Sequence, residues 1–360
     1  MSTKKKILYV YIYCNMGGVT SVLKQRARHM DEFDLNGLFQ IEYGGKEELL
    51  KYGFGNVVIA ENLLEALEGE LRDNEYDLIT IIDMPDILQQ VLDWGYGDKV
   101  VYEIHTPMLD VLLKNNPVAL AAAHHIVVPS VWSKNWVLRH FPTLAAKQIS
   151  SCGNIVDPEL FQSGTALDHN QKPKPGEKGS LVWVGKFGDY KNWREAIAIA
   201  DEYLSDQRTA QAYFVTGGRL TDKVMNEALT EIGRTNSPER ILWLHNLSYN
   251  EMAQLYRKAA ACDGVFLSCS SAESFCMVIH EASRCGLPIV TTGAGAVTEF
   301  IEHDISGLIF DTAETQSAAE SLSLAVTNSK TRQRILSGAK KRLDSYTPKN
   351  LINDYISTIS

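Results

Sequence analysis

The sequence predicts an α/β protein built from two doubly wound parallel-sheet domains. Three observations carry this. Short runs rich in Val, Ile, Tyr and Phe alternate with stretches of helical periodicity along the whole chain. The alternation breaks at 164–180, GTALDHNQKPKPGEKGS, where Pro, Gly and alternating charge mark a linker. The length, 360 residues, suffices for two domains with full cores.

The elements follow in order. The first strand is ILYVYIY, followed by a glycine turn and a helix over Val19–Met30. LFQIEY, GNVVIA, YDLITIID, KVVYEIH and HHIVVPS are further strands, with helices over most of the gaps. After the linker the series restarts with LVWVGKF and a helix from Trp193. QAYFVTGG, RILWLHNLS, DGVFLSC, LPIVTTG and SGLIF then supply strands. The chain closes on KRLDSYTPKNLINDYISTI, a Pro break and a final amphipathic helix. No internal repeat or low-complexity tract interrupts this order.

Composition narrows the function classes. Hydrophobic residues make up 45% and charged residues 22%, ordinary for a globular protein. The net charge of −9 argues against a nucleic-acid partner, which needs a basic surface. It also weakens attraction to anionic lipid, so membrane association is expected to be peripheral at most. Three lysines before an apolar run imitate a signal peptide at the N-terminus. The run is short and no small-x-small cleavage site follows, so a first strand explains it better. The six cysteines form no CxxC pair and read as reduced thiols of a cytoplasmic protein.

Residues 270–290, SSAESFCMVIHEASRCGLPIV, are the most informative. Glu273 lies in a polar loop after a buried strand, and Glu281 lies about two turns into the helix that follows. The helix stops at Gly286 and Pro288. A helix N-terminus at the end of a strand is a ready anion site, because its free N–H groups and positive dipole end face the anion. Glu281 is placed to reach a ribose beside bound phosphates. His280-Glu281 opens like HExxH, but Arg284 occupies the second His position, so a zinc reading fails.

This constellation resembles the donor-binding motif of the large family of retaining GT-B glycosyltransferases, Glu-x-Phe-x5-Glu followed by Ala-x3-Gly-x-Pro. Ser270, Glu273, Phe275, Glu281, Ala282, Gly286 and Pro288 match it. The resemblance implies the GT-B fold, two Rossmann-like domains facing across a cleft. The expected boundaries are an N-terminal domain over 1–165, with 345–360 packing back on it, a linker over 166–180 and a nucleotide-sugar domain over 181–344.

Further motifs fit the resemblance. Asn15-Met16-Gly17-Gly18 follows the first strand and is similar to the family's Gly-Gly loop at the donor diphosphate; a plain tight turn is the alternative. Gly185-Lys186-Phe187-Gly188-Asp189-Tyr190-Lys191 follows the first strand of the second series. The family pattern there is Gly-Arg and then Lys; Lys191 matches, whereas Lys186 replaces Arg and loses the planar fork. Two such cations would neutralise a leaving diphosphate. His105 is similar to the His that meets the donor sugar, although a lone His is more often a hydrogen-bonded structural residue. Asn154-Ile155-Val156-Asp157 with Phe161 resembles the segment leading into the interdomain linker. Asn246-Leu247 falls where the family holds the nucleobase, and Gly217 is another expected approach point for the nucleotide sugar; an ordinary strand-end turn is the alternative for both.

Carried over residue by residue, the resemblance implies that Glu273 contacts sugar hydroxyls and that Glu281 binds the ribose. It implies that amides near Ser274, Phe275, Cys276 and Met277 hold the diphosphate. No Asp-x-Asp triplet occurs, so no metal or other cofactor is expected. The expected partners are a nucleotide-diphosphate sugar and a small-molecule or glycan acceptor. Hexosyl or N-acetylhexosaminyl transfer by a front-face mechanism is the leading expectation. A nucleotide-sugar epimerase, a phosphorylase or an inactive nucleotide-sugar-binding protein on the same fold remain alternatives. A nicotinamide dehydrogenase is disfavoured because neither series carries GxGxxG.

Overall fold

The computed structural model describes residues 4–164, 167, 172–173, 176–311 and 314–360. The chain divides into two compact units, 1–155 with 347–360, and 156–346.

The first unit is built on a seven-stranded parallel sheet. Its strands are β1 (Lys5–Asn15), β2 (Phe33–Tyr43), β3 (Phe54–Ile59), β4 (Leu78–Ile82), β5 (Val100–Glu103), β6 (His125–Val128) and β7 (Ile149–Ser151). They lie in the order β3-β2-β1-β4-β5-β6-β7. Ile7 pairs with Leu35 on one side and Leu78 on the other, so β1 is central. Val10, Ile79, Ile81 and Tyr102 are fully buried and fill the sheet's core. Near-continuous apolar runs are what strands covered on both faces require. The C-terminal helix Pro348–Ile359 belongs to this unit.

The second unit repeats the plan with six parallel strands: β8 (Leu181–Val184), β9 (Ala212–Thr216), β10 (Ile241–His245), β11 (Val265–Ser268), β12 (Ile289–Thr292) and β13 (Leu308–Phe310). Their order is β10-β9-β8-β11-β12-β13. Side chains alternate between two cores, as the period of 2 demands. Leu181, Trp183, Val265 and Leu267 face one, and Val182 and Phe266 face the other.

The strand order reverses between β8 and β11. In open α/β sheets ligands bind outside the carboxyl ends of the strands at such a switch point. The loops that leave β8 and β11 there carry Lys186, Lys191 and Glu273.

The domain edges need correction. The sequence reading ends the first domain at 165, but residues from Val156 onward join the second unit. Val156 and Phe161 are buried in its core, and Phe161 lies 6.1 Å from the Tyr256 ring. This apolar pair, which precedes the expected linker, decides the boundary. The far end of the expected linker is also built in: Ser180 is fully buried, and Glu177 accepts a 2.9 Å hydrogen bond from Tyr213. Linker residues 166, 168–171, 174 and 175 lie outside the described residues. Residues 345 and 346 stay with the second unit, and the return begins at Thr347. The short polar strand β7, ISS, gave no periodicity signal and was missed.

Candidate active site

The site in the second unit is organised by the loop Cys269–Cys276. The loop is polar in sequence, yet Ser270 and Glu273 are only 2% and 6% exposed. Backbone partners account for this. Ser271 donates from its amide to the Tyr190 carbonyl at 2.8 Å, and Asn192 Nδ2 donates to the Cys269 carbonyl at 2.8 Å. The Glu273 carbonyl accepts from the Ala296 amide at 2.9 Å. Gly295 makes this approach possible. It sits at φ +58, and a Cβ there would lie 2.2 Å from the Glu273 oxygen.

Within this frame Lys191 Nζ lies 2.5 Å from Glu273 Oε1. Burial opposes the lysine's charge, but Glu273, then Cys276 and Tyr190, outweigh it and hold the ammonium above the usual lysine range. Lys186 is exposed in the turn that follows β8. Partial desolvation first, and then Lys191, hold its ammonium below the usual range.

The helix Met277–Arg284 starts at Cys276, whose backbone is left-handed at φ 64, and no side chain caps it. The Ile279 amide turns back to the Cys276 carbonyl at 3.1 Å, while the Met277 and Val278 amides point toward the loop before the helix. Phe275 is packed, not presented. It stacks on His280 at 4.5 Å, and His280 stacks on Phe300 at 4.1 Å. Burial pushes the His280 imidazole down to about 3, so this ring is a neutral spacer between aromatic faces. The stack pins the loop to the helix. Glu281 is 7% exposed, and its Oε2 accepts a 3.3 Å hydrogen bond from Tyr256. Gly286 at φ +88 ends the helix, with the Leu287 amide donating to the Ala282 carbonyl at 3.1 Å.

The structure therefore brings together Lys191, Glu273 and the helix start that leads to Glu281. Other expected residues have local duties. The Gly218 amide donates to Asn246 Oδ1 at 2.8 Å, which ties the end of β9 to the end of β10. Gly217 lies in that tie, and Leu247 packs against the second unit's core. In the first unit the Gly17 amide donates to Asn15 Oδ1 at 2.9 Å. A Cβ on Gly17 would come 2.7 Å from that oxygen, whereas one on Gly18 would meet open space.

His105 lies two residues past the end of β5, with Nε2 2.7 Å from Glu103 Oε2. Its backbone is fixed as well: Asp83 Oδ1 accepts from the amides of His105 at 3.0 Å and Thr106 at 3.3 Å. Asp83 is itself left-handed at φ 50, and burial pushes its carboxyl up to about 6. Sequence reasoning missed Asp83 and Glu103. The signal for Glu103 was present, a carboxylate inside the apolar strand VVYEIH. Among the described residues no group of three His, Cys, Asp or Glu side chains is disposed to hold a metal ion.

Residues 165–342 match the family described as glycosyl transferases group 1. This part of the chain is a group 1 glycosyltransferase domain. The match falls on the unit that carries Lys191, Glu273 and Glu281. Similarity to individual glycosyltransferases reaches further. A putative glycosyltransferase, YtcC of Bacillus subtilis, is 23% identical over 301 residues, 79% of this chain and 72% of the relative. The D-inositol 3-phosphate glycosyltransferase of Stackebrandtia nassauensis is 27% identical over 210 residues, 56% of this chain and 46% of that protein. Among solved structures, Anabaena Alr3699/HepE in complex with UDP and glucose has a TM-score of 0.81 at 18% identity, covering 99% of both chains. That likeness and those to sucrose-phosphate synthase and OtsA show the fold, which is the GT-B type. Among the described residues no helix is long and apolar enough to cross a membrane.

Proposed function

We propose that this protein is a retaining glycosyltransferase that moves a hexosyl or N-acetylhexosaminyl group from a nucleotide-diphosphate sugar to an acceptor hydroxyl, without a metal. The observation that carries this reading is the buried Lys191–Glu273 pair at the strand-order reversal, directly before an uncapped helix start. A diphosphate at that start would meet the amides of Ser274, Phe275, Cys276 and Met277, and the ammonium groups of Lys186 and Lys191. Those cations supply the charge that a metal supplies elsewhere. Glu281, held by Tyr256, would accept from the ribose hydroxyls.

Glu273 would accept from hydroxyls of the donor sugar, and Lys191 holds it at one place. As the glycosidic bond breaks, its electron pair goes to the leaving diphosphate. Lys191 then meets more negative charge in the transition state than in the ground state. In a front-face displacement the acceptor oxygen attacks from the side of departure, and its proton passes to the leaving phosphate oxygen. The family resemblance implies that His105 meets the donor sugar. Uridine diphosphate is the nucleotide to try first, because the HepE neighbour was solved with UDP and glucose. The six free buried thiols support a cytoplasmic setting, and the acceptor in this reading is a small molecule or a glycan.

The test is incubation with UDP-sugars and candidate acceptors after exhaustive EDTA treatment, with the anomeric centre followed by NMR. A new glycoside of unchanged anomeric configuration supports the proposal. Turnover that returns only with Mg²⁺ or Mn²⁺ removes its metal-free part, and an inverted product removes the front-face step. An epimerised donor, a sugar phosphate or binding without turnover selects one of the alternatives.

A further inference from the structure

Glu103 has no part in the reading above, yet Arg26, Tyr355 and His105 all engage its side chain. Its carboxylate is fully buried at the end of β5. Arg26 Nη1 donates to both oxygens, at 2.7 and 2.9 Å. The Tyr355 hydroxyl, from the C-terminal helix, donates to Oε1 at 2.8 Å. His105 Nε2 meets Oε2 at 2.7 Å. The partners are themselves fixed. The Arg26 guanidinium lies 3.7 Å from the centre of the Tyr355 ring, and the Tyr355 and Tyr9 hydroxyls are 3.2 Å apart.

Burial disfavours the carboxylate, but Arg26 and then His105 outweigh it and hold the Glu103 carboxyl down to about 2. It is therefore ionised at any working pH. An ionised carboxylate only accepts, so the proton in the 2.7 Å contact sits on His105 Nε2. Stability alone does not demand the arrangement. Buried ion pairs are often replaced by apolar residues at no loss, so a charge retained inside an apolar strand points to another use.

We propose that Glu103 is a positioning residue for His105, holding the imidazole in its Nε2–H form and in one orientation. While the ring is neutral, Nδ1 is then the acceptor nitrogen, suited to a hydroxyl group that donates to it. Arg26 and Tyr355 hold Glu103, and Asp83 holds the His105 backbone, so both ring and main chain are fixed before any ligand arrives. The proposal rests on the reading in which His105 meets the donor sugar.

The test has two arms on the full-length protein. In the first, ring-¹⁵N-labelled protein is studied by long-range ¹H–¹⁵N correlation, with the His105 signal assigned by its loss in His105→Gln. The Nε2–H form is expected in the unliganded wild type, and an Nδ1–H form there overturns the proposal. This arm needs no turnover, so it stands even if the glycosyltransferase reading fails. The second arm is a double-mutant cycle in kcat. Glu103→Gln should lower kcat by about 10–100-fold, the range seen when partners that orient ligand histidines are removed from metal sites. In a His105→Gln background it should cost nothing further. Equal losses in both backgrounds would show that Glu103 only supports the fold. If Glu103→Gln does not fold, the wild-type ring spectrum still decides.

Discussion

Lys191 Nζ and Glu273 Oε1 lie 2.5 Å apart, with their side chains only 14% and 8% exposed. The residues are 82 apart in sequence and leave neighbouring strands, β8 and β11, at the point where the strand order reverses. A pair this withdrawn from water is costly to assemble and more costly to break.

The first prediction concerns that cost. Lys191→Ala should destabilise the protein by about 3–5 kcal/mol, because it leaves Glu273 buried without its cation. It should also lower kcat by about 10²–10³, the usual loss for one electrostatic donor, while donor KM moves less. Lys191→Met combined with Glu273→Gln separates the two effects. Thermal unfolding should return most of the way to wild type while turnover stays low. A double variant that recovers kcat would remove Lys191 and Glu273 from the chemistry.

Glu281→Ala is expected to weaken nucleotide binding by about 1.5–3 kcal/mol, the value of a hydrogen bond to a charged group. Tyr256 loses its acceptor at the same time, so Tyr256→Phe is the control. Calorimetric titration of UDP should show a large loss for Glu281→Ala and a small one for Tyr256→Phe. Equal affinities for wild type and Glu281→Ala would place the ribose elsewhere.

How much of this was legible in the chain depends on distance in sequence. The strands were readable because sheets covered on both faces need continuous apolar runs, and LVWV and VFLS have no other reading. The helix end at Gly286 was readable because its left-handed backbone needs glycine. Glu273 and Glu281 were found through local spacing. The Lys191–Glu273 contact was not, since it depends on β8 and β11 becoming neighbours. The burial of the Ser270–Glu273 loop was hidden for the same reason: Gly295, Ala296 and Thr292 cover it from a later strand and turn. Val156 and Phe161 misplaced the domain edge because two apolar residues in a loop show no period.

Cys276 provides a backbone prediction. It holds φ 64 and ψ 66, a conformation that glycine adopts freely and that strains other residues by about 1–3 kcal/mol. Cys276→Gly should relieve this strain while giving up a small buried thiol, so stability should change by no more than about 1 kcal/mol. Cys276→Val, branched at Cβ, should destabilise by about 1–3 kcal/mol and weaken nucleotide binding with it. Denaturant unfolding measures both. A Val variant as stable as the Gly variant would mean that the helix start does not require the left-handed turn.

The last prediction concerns acid. His280 is buried between Phe275 and Phe300, and its imidazole is held down to about 3 by burial first and by Arg284 second. In the unfolded chain the ring titrates at its ordinary value of about 6.5. Its folded pKa is the lower one, so below about pH 6.5 the unfolded state takes up a proton that the folded state refuses. The contribution to stability is whole above pH 6.5 and declines as pH falls toward 3. The slope approaches 1.36 kcal/mol per pH unit, so about 2 kcal/mol should be lost by pH 5. His280→Phe keeps an aromatic face against Phe275 and Phe300 but cannot take a proton. It should be less acid-sensitive than wild type between pH 6.5 and 5, whatever its stability at pH 7. The measurement is the denaturation midpoint and slope at half-unit pH steps for both proteins. Parallel pH profiles would show that His280 titrates alike in the folded and unfolded chains.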